Sequence, residues 1–468
     1  MIALSLAEVS AAVGGALVRT SAAPETTVVS GTVQTDSRQV SEGSIFFALR
    51  GETTDGHRFA ADAAAAGAAL IVAEHPVDVD VPQIIVADGV AALAGLARAV
   101  VARVRARGTL TVIAITGSNG KTTTKNMVAA ICSAAGPTVA PRGSYNNHVG
   151  APISMLEIGY DTRFLIVEMG TSAIGDIARL IAIVMPDIAV VLKVGLAHSG
   201  DFGSLAATQR AKSEIVTELP ATAVAVLNAD DDRVSAMASM TAARPKWFGL
   251  DAGASVRADD IGITAEGTSF TLITDGESRS VSMRILGEHH VMNALAALSV
   301  AQELGIPLDN AVAAIEALPR AERWRMELLQ PGGGIVVLND AYNASPDSTA
   351  AALKTLAQVT GERQRSVAVL GEMADLGEFS DDEHDRIGRL VVRLNIGKLV
   401  VVGTRARHIH VAATLEGSWN GESVLVDTPE QAYDLLCDEL RDGDVVLVKS
   451  SNSAGLRFLG DRLGGVAS

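Results

Sequence analysis

The sequence has few cysteines and no excess of basic charge, and each shortage excludes a class of protein. Only two of the 468 residues are cysteine, Cys132 and Cys437. They are far apart and have no metal-ligand spacing, so we expect a reducing compartment and no disulfide framework. The formal net charge of −16 opposes nucleic-acid binding, because a phosphate backbone requires a basic surface. A phosphorylated small molecule remains compatible, since backbone N–H groups and a few cations can hold it.

Long apolar runs are also missing. Charged residues or glycines interrupt every candidate before it reaches the length of a membrane span, so we expect no membrane insertion. The N-terminal stretch MIALSLAEVSAAVGG has no basic leader and carries Glu8. It predicts a helix that starts with a capping box of Ser5 and Glu8 and ends near Gly14, rather than a signal peptide. We therefore predict a cytoplasmic, globular enzyme that acts as a monomer.

Buried-type strands alternate with helices along the whole chain, which predicts an α/β fold of three domains. Residues 1–88 are expected to form a small N-terminal α/β domain. Residues 89–318 contain TVIAIT, RFLIVEMG, DIAVVLKVG and AVAVLNADD, which are typical of a mostly parallel sheet covered on both faces. Residues 319–468 repeat the pattern with GGIVVLND, RSVAVLGEM, KLVVVGT and DVVLVKSS. This last segment predicts a Rossmann-like C-terminal domain.

The segment TVIAITGSNGKTTTK predicts a phosphate-binding loop of unusual spelling. The usual pattern is G-x-x-x-x-G-K-[ST], and Ile115 stands where its first glycine belongs. The strand is expected to end at Thr116 and the helix to begin at Lys121, so that N–H groups of the turn can cradle a polyphosphate. Lys121 can reach the terminal phosphates and Thr122 can bind Mg²⁺. The structural alternative is a strand–turn–helix junction with a surface lysine.

Polar residues follow two further strands and could complete a metal site. Glu168 ends the strand RFLIVE, and a buried carboxylate there is costly unless it serves a ligand, a metal or an ion pair. His198 follows the next strand, where a lone histidine would be unremarkable by itself. The two residues support each other and the loop, so they predict a Mg²⁺-nucleotide site.

The loop TGSNGKT resembles that of the Mur ligase family and of its folylpolyglutamate synthetase relatives. These enzymes join an amino group to a carboxylate at the expense of ATP. The motifs EMGT, AHSGDFGS, AKSE, LNADDD and GEHHVMNALAAL follow in the order found in the family. The resemblance also places Asn228 and Asp230 at the edge of the nucleotide site. The ATP-binding residues that it implies are Gly117, Ser118, Asn119, Gly120, Lys121, Thr122, Thr123, His290, Asn293 and Asp340.

Two magnesium ions are implied by the same resemblance. Thr122, Glu168 and His198 match magnesium ligands, and Lys212 in AKSE matches a lysine that reacts with carbon dioxide. The carbamate would convert a cation into an anion that can hold the second magnesium. From the residues alone, Lys212 would be a solvated helix lysine.

The flanking segments resemble the family member that adds D-alanyl-D-alanine to UDP-N-acetylmuramoyl-tripeptide. TDSR and DGH in the N-terminal segment match motifs for the UDP end, and YNNHVG, NDAYNASPDS and VLGEMADLG match further along the chain. The D-N-P-R motif of the lysine- or diaminopimelate-adding member is missing. VKSSNSAGL departs from the expected K-G-S-R form, which leaves Ser451 and Asn452 without a role. The implied substrate residues are Thr35, Asp36, Ser37, Arg38, Asp55, His57, Asn146, Asn147, Tyr342, Asn343 and Lys449.

The implied reaction is amide formation through an acyl phosphate, in which the protein positions the groups and neutralises charge. Among the arginines of RAERWRME we choose Arg325 as the phosphate contact. The expected catalytic residues are Lys121, Lys212, His198 and Arg325. The alternatives are the diaminopimelate- or lysine-adding ligase and a folylpolyglutamate synthetase-like ligase. From another class, a P-loop ATPase switch would hydrolyse ATP without an acceptor amine, and a silent nucleotide-binding module would not turn over at all.

Overall fold

The structure is a computed structural model, and it describes residues 1–18, 23–51, 53–196, 202–320, 322–417 and 419–466. The chain divides into two compact units. The first consists of residues 1–115, 135–171 and 175–189, and the second consists of residues 116–134, 172–174 and 190–468. Within the described stretches, the structure contains no helix that is both long and apolar enough to span a membrane.

The bounds of the regular elements follow in chain order. The strands of the described residues are β1 (Leu4–Ser5), β2 (Ala16–Val18), β3 (Val28–Val29), β4 (Val33–Gln34), β5 (Ile45–Phe47), β6 (Leu70–Ala73), β7 (Gln83–Ile85), β8 (Thr111–Thr116), β9 (Thr138–Val139), β10 (Phe164–Glu168), β11 (Ile188–Val191), β12 (Val224–Asn228), β13 (Arg244–Gly249), β14 (Val256–Thr264), β15 (Gly267–Thr274), β16 (Glu277–Met283), β17 (Glu327–Gly332), β18 (Ile335–Asn339), β19 (Ser366–Leu370), β20 (Lys398–Val402), β21 (Glu422–Val426) and β22 (Val445–Lys449). The α-helices are α1 (Leu6–Val13), α2 (Ala60–Ala65), α3 (Gly89–Arg105), α4 (Lys121–Ala135), α5 (Gly150–Met155), α6 (Asp176–Ile181), α7 (Leu205–Thr217), α8 (Asp232–Ser235), α9 (Glu288–Glu303), α10 (Leu308–Glu316), α11 (Pro346–Val359), α12 (Ser380–Arg393), α13 (Arg407–Leu415), α14 (Pro429–Glu439) and α15 (Leu456–Leu463).

The first unit contains a small five-stranded sheet of order β2-β7-β6-β5-β4. Its pairs are parallel except β2 with β7, and the residues of β5 and β6 are all buried, as expected for strands covered on both faces. The predicted capping box is confirmed, because the Ser5 hydroxyl accepts the Glu8 N–H and the Glu8 carboxylate accepts the Ser5 N–H. Gly14 ends α1 in the left-handed conformation, with a φ of 66°.

Strand β10 lies between β8 and β9 in the same unit and is parallel to both. The register pairs Glu168 with Ile115, so the predicted metal carboxylate lies at the carboxyl end of its strand. The helix α3 begins after Asp88, whose side chain accepts the N–H groups of Val90 and Ala91.

In the second unit, the pairs β12–β13 and β13–β14 are parallel, and β14, β15 and β16 form an antiparallel meander. The sequence analysis named no strand in the meander, because its half-exposed polar and apolar residues lack the continuous apolar runs of the parallel strands. The predicted parallel strands of the central segment are present, and the sheet pairing there is mostly parallel.

A six-stranded sheet of order β17-β18-β22-β19-β20-β21 also belongs to the second unit. Only the edge strand β17 is antiparallel among its pairs. Residues of α11, α12 and α13 pack on one face and residues of α14 and α15 on the other. The direction of the crossovers reverses between β19 and β22, and ligands of open α/β sheets commonly bind at such a reversal.

Candidate active site

The predicted phosphate loop has the expected local structure. The strand β8 ends at Thr116 and α4 begins at Lys121. Gly120 has a φ of 85°, which favours glycine. A Cβ at this position would lie 2.3 Å from Oδ1 of Asn293. The loop therefore needs glycine at position 120 for both its conformation and its close approach to α9.

Hydrogen bonds fix the remainder of the loop. The Ser118 N–H donates to the Lys193 carbonyl at 2.8 Å, and the Ser118 hydroxyl lies 2.8 Å from the Gly195 N–H, which donates to it. The Lys121 ammonium donates to the Gly117 carbonyl at 2.8 Å. Lys121 thus folds back over the loop, at the place where a bound polyphosphate would meet its charge.

A cavity of about 340 Å³ adjoins the loop. The Asn228 amide donates to the Leu192 carbonyl at 2.7 Å, and the Asp230 carboxylate accepts the Leu250 N–H at 2.6 Å. These bonds hold the segment after β12 against the cavity, where the sequence placed the edge of the nucleotide site. The lining residues are Asn119, Gly120, Leu192, Lys193, Asn228, Asp230, Asp231, Phe248, Leu250, His289, Met292 and Asn293.

The helix α9 contributes His289, Met292 and Asn293 to this cavity. Burial lowers the pKa of His289 to about 4, and it lowers the pKa of His290 well below its usual value, so both rings are neutral at pH 7. The Asn293 amide N–H donates to Nδ1 of His290 at 3.2 Å. This hydrogen bond orients the Asn293 side chain. Sequence reasoning chose His290 and missed His289, although the spacing of 289, 292 and 293 marks one face of a helix.

Lys212 is buried on α7 with a side chain that is 4% exposed. Burial and the charge of Lys121 lower the pKa of Lys212 well below its ordinary value. The solvated helix lysine that the sequence alone suggested is therefore wrong, because the ammonium has no access to bulk water. A lowered pKa favours the neutral amine, which is the nucleophilic form that addition to carbon dioxide requires.

The side chain of Glu168 is fully buried at the end of β10, and its Oε1 accepts a 2.7 Å hydrogen bond from the Asn146 amide. Asn147 instead accepts the N–H groups of Val149 and Gly150 at the start of α5. Asn146 therefore holds the predicted metal carboxylate in place. His198, the other predicted strand-end ligand, lies outside the described residues.

Arg325 reaches the first turn of α4. Its Nη2 donates to the Thr122 hydroxyl at 3.1 Å, and its guanidinium lies 4.4 Å from the centroid of the Tyr342 ring. Thr122 and Thr123 are both buried. The guanidinium is thus next to the side chain that the loop motif assigns to Mg²⁺-nucleotide binding, and the stacked Tyr342 ring restricts its motion.

The buried Lys449 and the partly buried Asp340 form an ion pair close to this arginine. The Lys449 ammonium, 2% exposed, donates to Asp340 Oδ2 at 2.6 Å and to the Asn343 carbonyl at 3.0 Å. Oδ1 of Asp340 accepts the Met326 N–H at 3.1 Å. Both carboxylate oxygens of Asp340, which the resemblance assigned to ATP binding, therefore form hydrogen bonds within the protein.

The first unit carries a larger cavity of about 890 Å³. It contains all four residues of the predicted TDSR motif. Arg38 donates to both carboxylate oxygens of Asp36, and this bond lowers the pKa of Asp36 to about 2. The lining residues are Thr35, Asp36, Ser37, Arg38, Leu49, Arg50, Gly51, Thr54, Gly56, Phe59, Asp62, Val90, His148 and Val149.

The DGH motif, residues 55–57, contributes Gly56 to the lining of this cavity. The His57 ring is buried, and its Nδ1 lies 2.6 Å from Asp55 Oδ1, while its Nε2 accepts the Glu74 N–H at 2.9 Å. Gly56 between them lines the cavity. His57 and Asp55 form a fixed turn in this structure, and the Gly56 backbone is the part of the motif that reaches the cavity.

A third cavity, which sequence reasoning missed, has a volume of about 440 Å³ and lies at the carboxyl ends of β19, β20 and β21. Arg405 pairs with Glu372 across it at 3.2 Å, and their side chains are 79% and 19% exposed. The sequence feature that could have predicted this cavity is the position of Glu372 and Arg405 shortly after the buried strands β19 and β20. The lining residues are Glu372, Val402, Gly403, Thr404, Arg405, Asp427, Pro429, Ala454 and Leu456.

Comparison with known families and proteins places these cavities in context. The Mur ligase middle domain matches residues 115–301, the Mur ligase glutamate ligase domain matches residues 324–452, and the Mur ligase family catalytic domain matches residues 31–115. The UDP-N-acetylmuramoyl-tripeptide–D-alanyl-D-alanine ligase of Mycobacterium tuberculosis is 43% identical over 99% of this chain and 98% of that protein. The chain belongs to the Mur ligase family.

Other relatives of this Mur ligase show the same full-length similarity. The enzyme with the same name from Escherichia coli is 35% identical over 91% of each chain. A crystal structure of MurF from Acinetobacter baumannii superposes with a TM-score of 0.88 at 31% identity and covers 99% of both chains. MurF from Thermotoga maritima, solved in complex with ADP, has a TM-score of 0.81 at 27% identity, and the match covers 93% of this Mur ligase and 98% of that chain.

Proposed function

We propose that this Mur ligase joins D-alanyl-D-alanine to UDP-N-acetylmuramoyl-tripeptide in an ATP-dependent step of peptidoglycan precursor synthesis. The observation that carries the proposal is the similarity over 99% of the chain to a relative with that name. The likeness to a diaminopimelate-adding ligase, at 20% identity and a TM-score of 0.54, extends to the fold alone. We further infer that the step takes place in the cytoplasm, where ATP is available, and that one chain suffices.

ATP fits the loop and the adjoining cavity. The loop offers glycine backbone and the Lys121 ammonium to the phosphates, and the cavity is lined by the neutral His289 and by Asn293 for the base. The terminal carboxylate of the tripeptide attacks the γ-phosphorus, which gives an acyl phosphate and ADP. The amine of D-alanyl-D-alanine then attacks the acyl carbon, loses a proton and displaces phosphate. Lys121 and Arg325 neutralise the charge that develops on the transferred group.

The donor set of this chain also fits magnesium. Thr122 supplies a hydroxyl, and Glu168 supplies a carboxylate whose orientation Asn146 fixes. Mg²⁺ held by these residues would supply positive charge next to the phosphates. We propose in addition that the neutral Lys212 amine adds to carbon dioxide and loses a proton, so that a new N–C bond gives an anionic carbamate. The support is the burial of Lys212 and its lowered pKa.

We propose that the cavity after β19, β20 and β21 holds the acceptor dipeptide. D-alanyl-D-alanine carries one ammonium, one carboxylate and two methyl groups. Arg405 can bind the carboxylate, and Glu372 can bind the ammonium and accept its proton to give the neutral amine, so that the ligand replaces their mutual ion pair. The apolar wall of Val402, Pro429 and Leu456 suits the methyl groups.

The deciding experiment is an acceptor-dependence assay with UDP-N-acetylmuramoyl-tripeptide and ATP. ADP release should require D-alanyl-D-alanine and should not respond to diaminopimelate, lysine or glutamate. The Lys121→Ala variant should lose nearly all of this activity. Release of ADP with no acceptor would favour the ATPase-switch alternative, and release driven by diaminopimelate would favour the other ligase.

A further inference from the structure

The segment that carries Arg325 has an unusual backbone. Trp324 and Met326, the residues on either side, have φ angles of 58° and 48°, and this left-handed conformation is strained for a residue other than glycine. Such strain persists only where surrounding contacts over-determine the backbone, and it is commonly found at functional sites. The contacts that hold these two residues therefore indicate how Arg325 is aimed.

Met326 is held from the sheet side. Its N–H donates to Asp340 Oδ1 at 3.1 Å, and Asp340 is itself fixed by the Lys449 ammonium. The Trp324 carbonyl accepts the Tyr342 N–H at 3.1 Å, and the Tyr342 ring lies under the Arg325 guanidinium. Asp340 and Tyr342, which follow β18, therefore form hydrogen bonds with the two residues on either side of Arg325.

Trp324 is held from the other side by two buried carboxylates. Its N–H donates to Glu327 Oε2 at 3.0 Å, and its indole N–H lies 2.9 Å from Asp461 Oδ2 and 3.1 Å from Oδ1. Arg323 joins the two carboxylates, with 3.1 Å from its Nε to Glu327 and 2.9 Å from its Nη2 to Asp461. The Asn339 amide donates to Asp461 at 3.1 Å. Asp461 therefore connects α15 and β18 to the segment before Arg325.

We propose that Asp461 is a positioning residue for Arg325, since it holds the Trp324 indole and so keeps the guanidinium at Thr122. This inference rests on the proposed function of Arg325 as a phosphate contact. The Asp461 carboxylate accepts hydrogen bonds from Arg323, Trp324 and Asn339, and its effect on the reaction passes through Trp324. Its side chain is 11% exposed, so a substrate has little access to it.

Two variants test the proposal. Trp324→Phe keeps an aromatic ring against Phe458, which lies edge-on at 6.2 Å, and removes the indole N–H together with the five-membered ring. Asp461→Asn keeps the size of the side chain and removes its charge. Each should lower kcat about tenfold or more, the range for a lost hydrogen bond to a charged group, and should leave KM for UDP-N-acetylmuramoyl-tripeptide within about twofold.

A double-mutant cycle separates positioning from general stability. In an Arg325→Ala background, Trp324→Phe and Asp461→Asn should have no further effect on kcat or on the dissociation constant for ATP measured by calorimetry. The matched control is Asp444→Asn, at a buried aspartate just before β22 that pairs with Arg365 at 2.6 Å. Asp444→Asn should lower the thermal midpoint of unfolding. Its effect on kcat and on the dissociation constant for ATP should be the same in the wild-type and the Arg325→Ala backgrounds.

The inference would be overturned if Trp324→Phe and Arg325→Ala had additive effects on kcat and on the dissociation constant for ATP. It would also be overturned if Trp324→Phe and Asp461→Asn each had the kcat and the ATP affinity of the wild-type enzyme. Failure of the proposed function has a different signature, which is a wild-type enzyme that binds ATP but releases no ADP when D-alanyl-D-alanine is added. In that case the cycle on ATP affinity still decides whether Asp461 acts through Arg325.

Discussion

The hydroxyl of Ser345 donates a 3.1 Å hydrogen bond to the side-chain carbonyl of Asn119. Ser345 is the N-cap of α11 and accepts the Ser348 N–H, while Asn119 belongs to the phosphate loop. One hydroxyl therefore serves both a helix end in the C-terminal segment and the loop that we assign to ATP. A change at the loop can reach α11 through this single contact.

Ser345→Ala should weaken both functions of that hydroxyl. Loss of the cap should lower the free energy of unfolding by about 1 kcal/mol, and loss of the donor should raise KM for ATP several-fold. Thr428→Ala, which removes the N-cap of α14, is the matched control for stability. An equal rise of KM for ATP in both variants would mean that the loop contact has no separate role.

Gly120→Ala should nearly abolish ATP binding, because the new Cβ would collide with Asn293 Oδ1 at 2.3 Å. Gly443→Ala is the matched control, since Gly443 has a φ of 86° and its nearest neighbour to an added Cβ is a flexible side chain at 4.0 Å. Both substitutions cost about 1 to 2 kcal/mol of backbone strain. Calorimetry with ATP should show the loss only for Gly120→Ala, and a similar loss in both would contradict the close-approach argument.

Lys212→Ala should remove the carbamate and reduce acceptor-dependent ADP release, and short carboxylates such as formate or acetate should restore part of it. Lys354→Ala, at an exposed lysine of α11, should have wild-type activity. Removal of dissolved carbon dioxide should also slow the wild-type enzyme reversibly. A fully active Lys212→Ala enzyme would exclude the carbamate.

Arg405→Ala should raise KM for D-alanyl-D-alanine by about tenfold, the effect of a lost charge-assisted bond, with KM for ATP unchanged. Arg389→Ala is the control, because Arg389 is a half-exposed arginine in the same domain that pairs with Asp385 at 2.8 Å. Steady-state kinetics with the acceptor varied checks this. If KM for the acceptor stays at the wild-type value, the dipeptide binds elsewhere.

The low pKa of His289 should make stability depend on pH. Burial lowers the folded-state pKa to about 4, whereas the unfolded chain binds the proton near pH 6.5. The unfolded state therefore binds more protons between pH 6.5 and about 4, and stability falls as the pH falls through that window. Urea unfolding of His289→Gln should show a shallower decline there than the wild-type protein. Parallel curves would assign the decline to other groups.

Local patterns predicted the loop and the strand ends because those features depend on neighbouring residues. The position of Lys121 at the start of α4 follows from a short motif in a strand–turn–helix context. The TDSR residues that line the 890 Å³ cavity were predicted through the family resemblance instead. The contact between Trp324 and Asp461 joins residues 137 positions apart, and no spacing rule connects them. The meander of β14 to β16 was missed because its alternation is weak.

The roles of individual residues were harder to predict than their neighbourhood. His57 and Asp340 lie in the segments where the sequence placed them, yet internal hydrogen bonds occupy their polar atoms. Which of two adjacent histidines faces a cavity depends on helix rotation, and tertiary packing put His289 there. The domain boundaries 1–88, 89–318 and 319–468 stay a prediction.

The strand order of the six-stranded sheet has a consequence for synthesis on the ribosome. β22 lies between β18 and β19, although it is made more than a hundred residues after β18. Until residue 449 has left the exit tunnel, β18 and β19 lack their common neighbour and expose unpaired backbone edges that can pair with other nascent chains. We therefore expect this sheet to fold only after translation has passed β22 and to rely on chaperones until then.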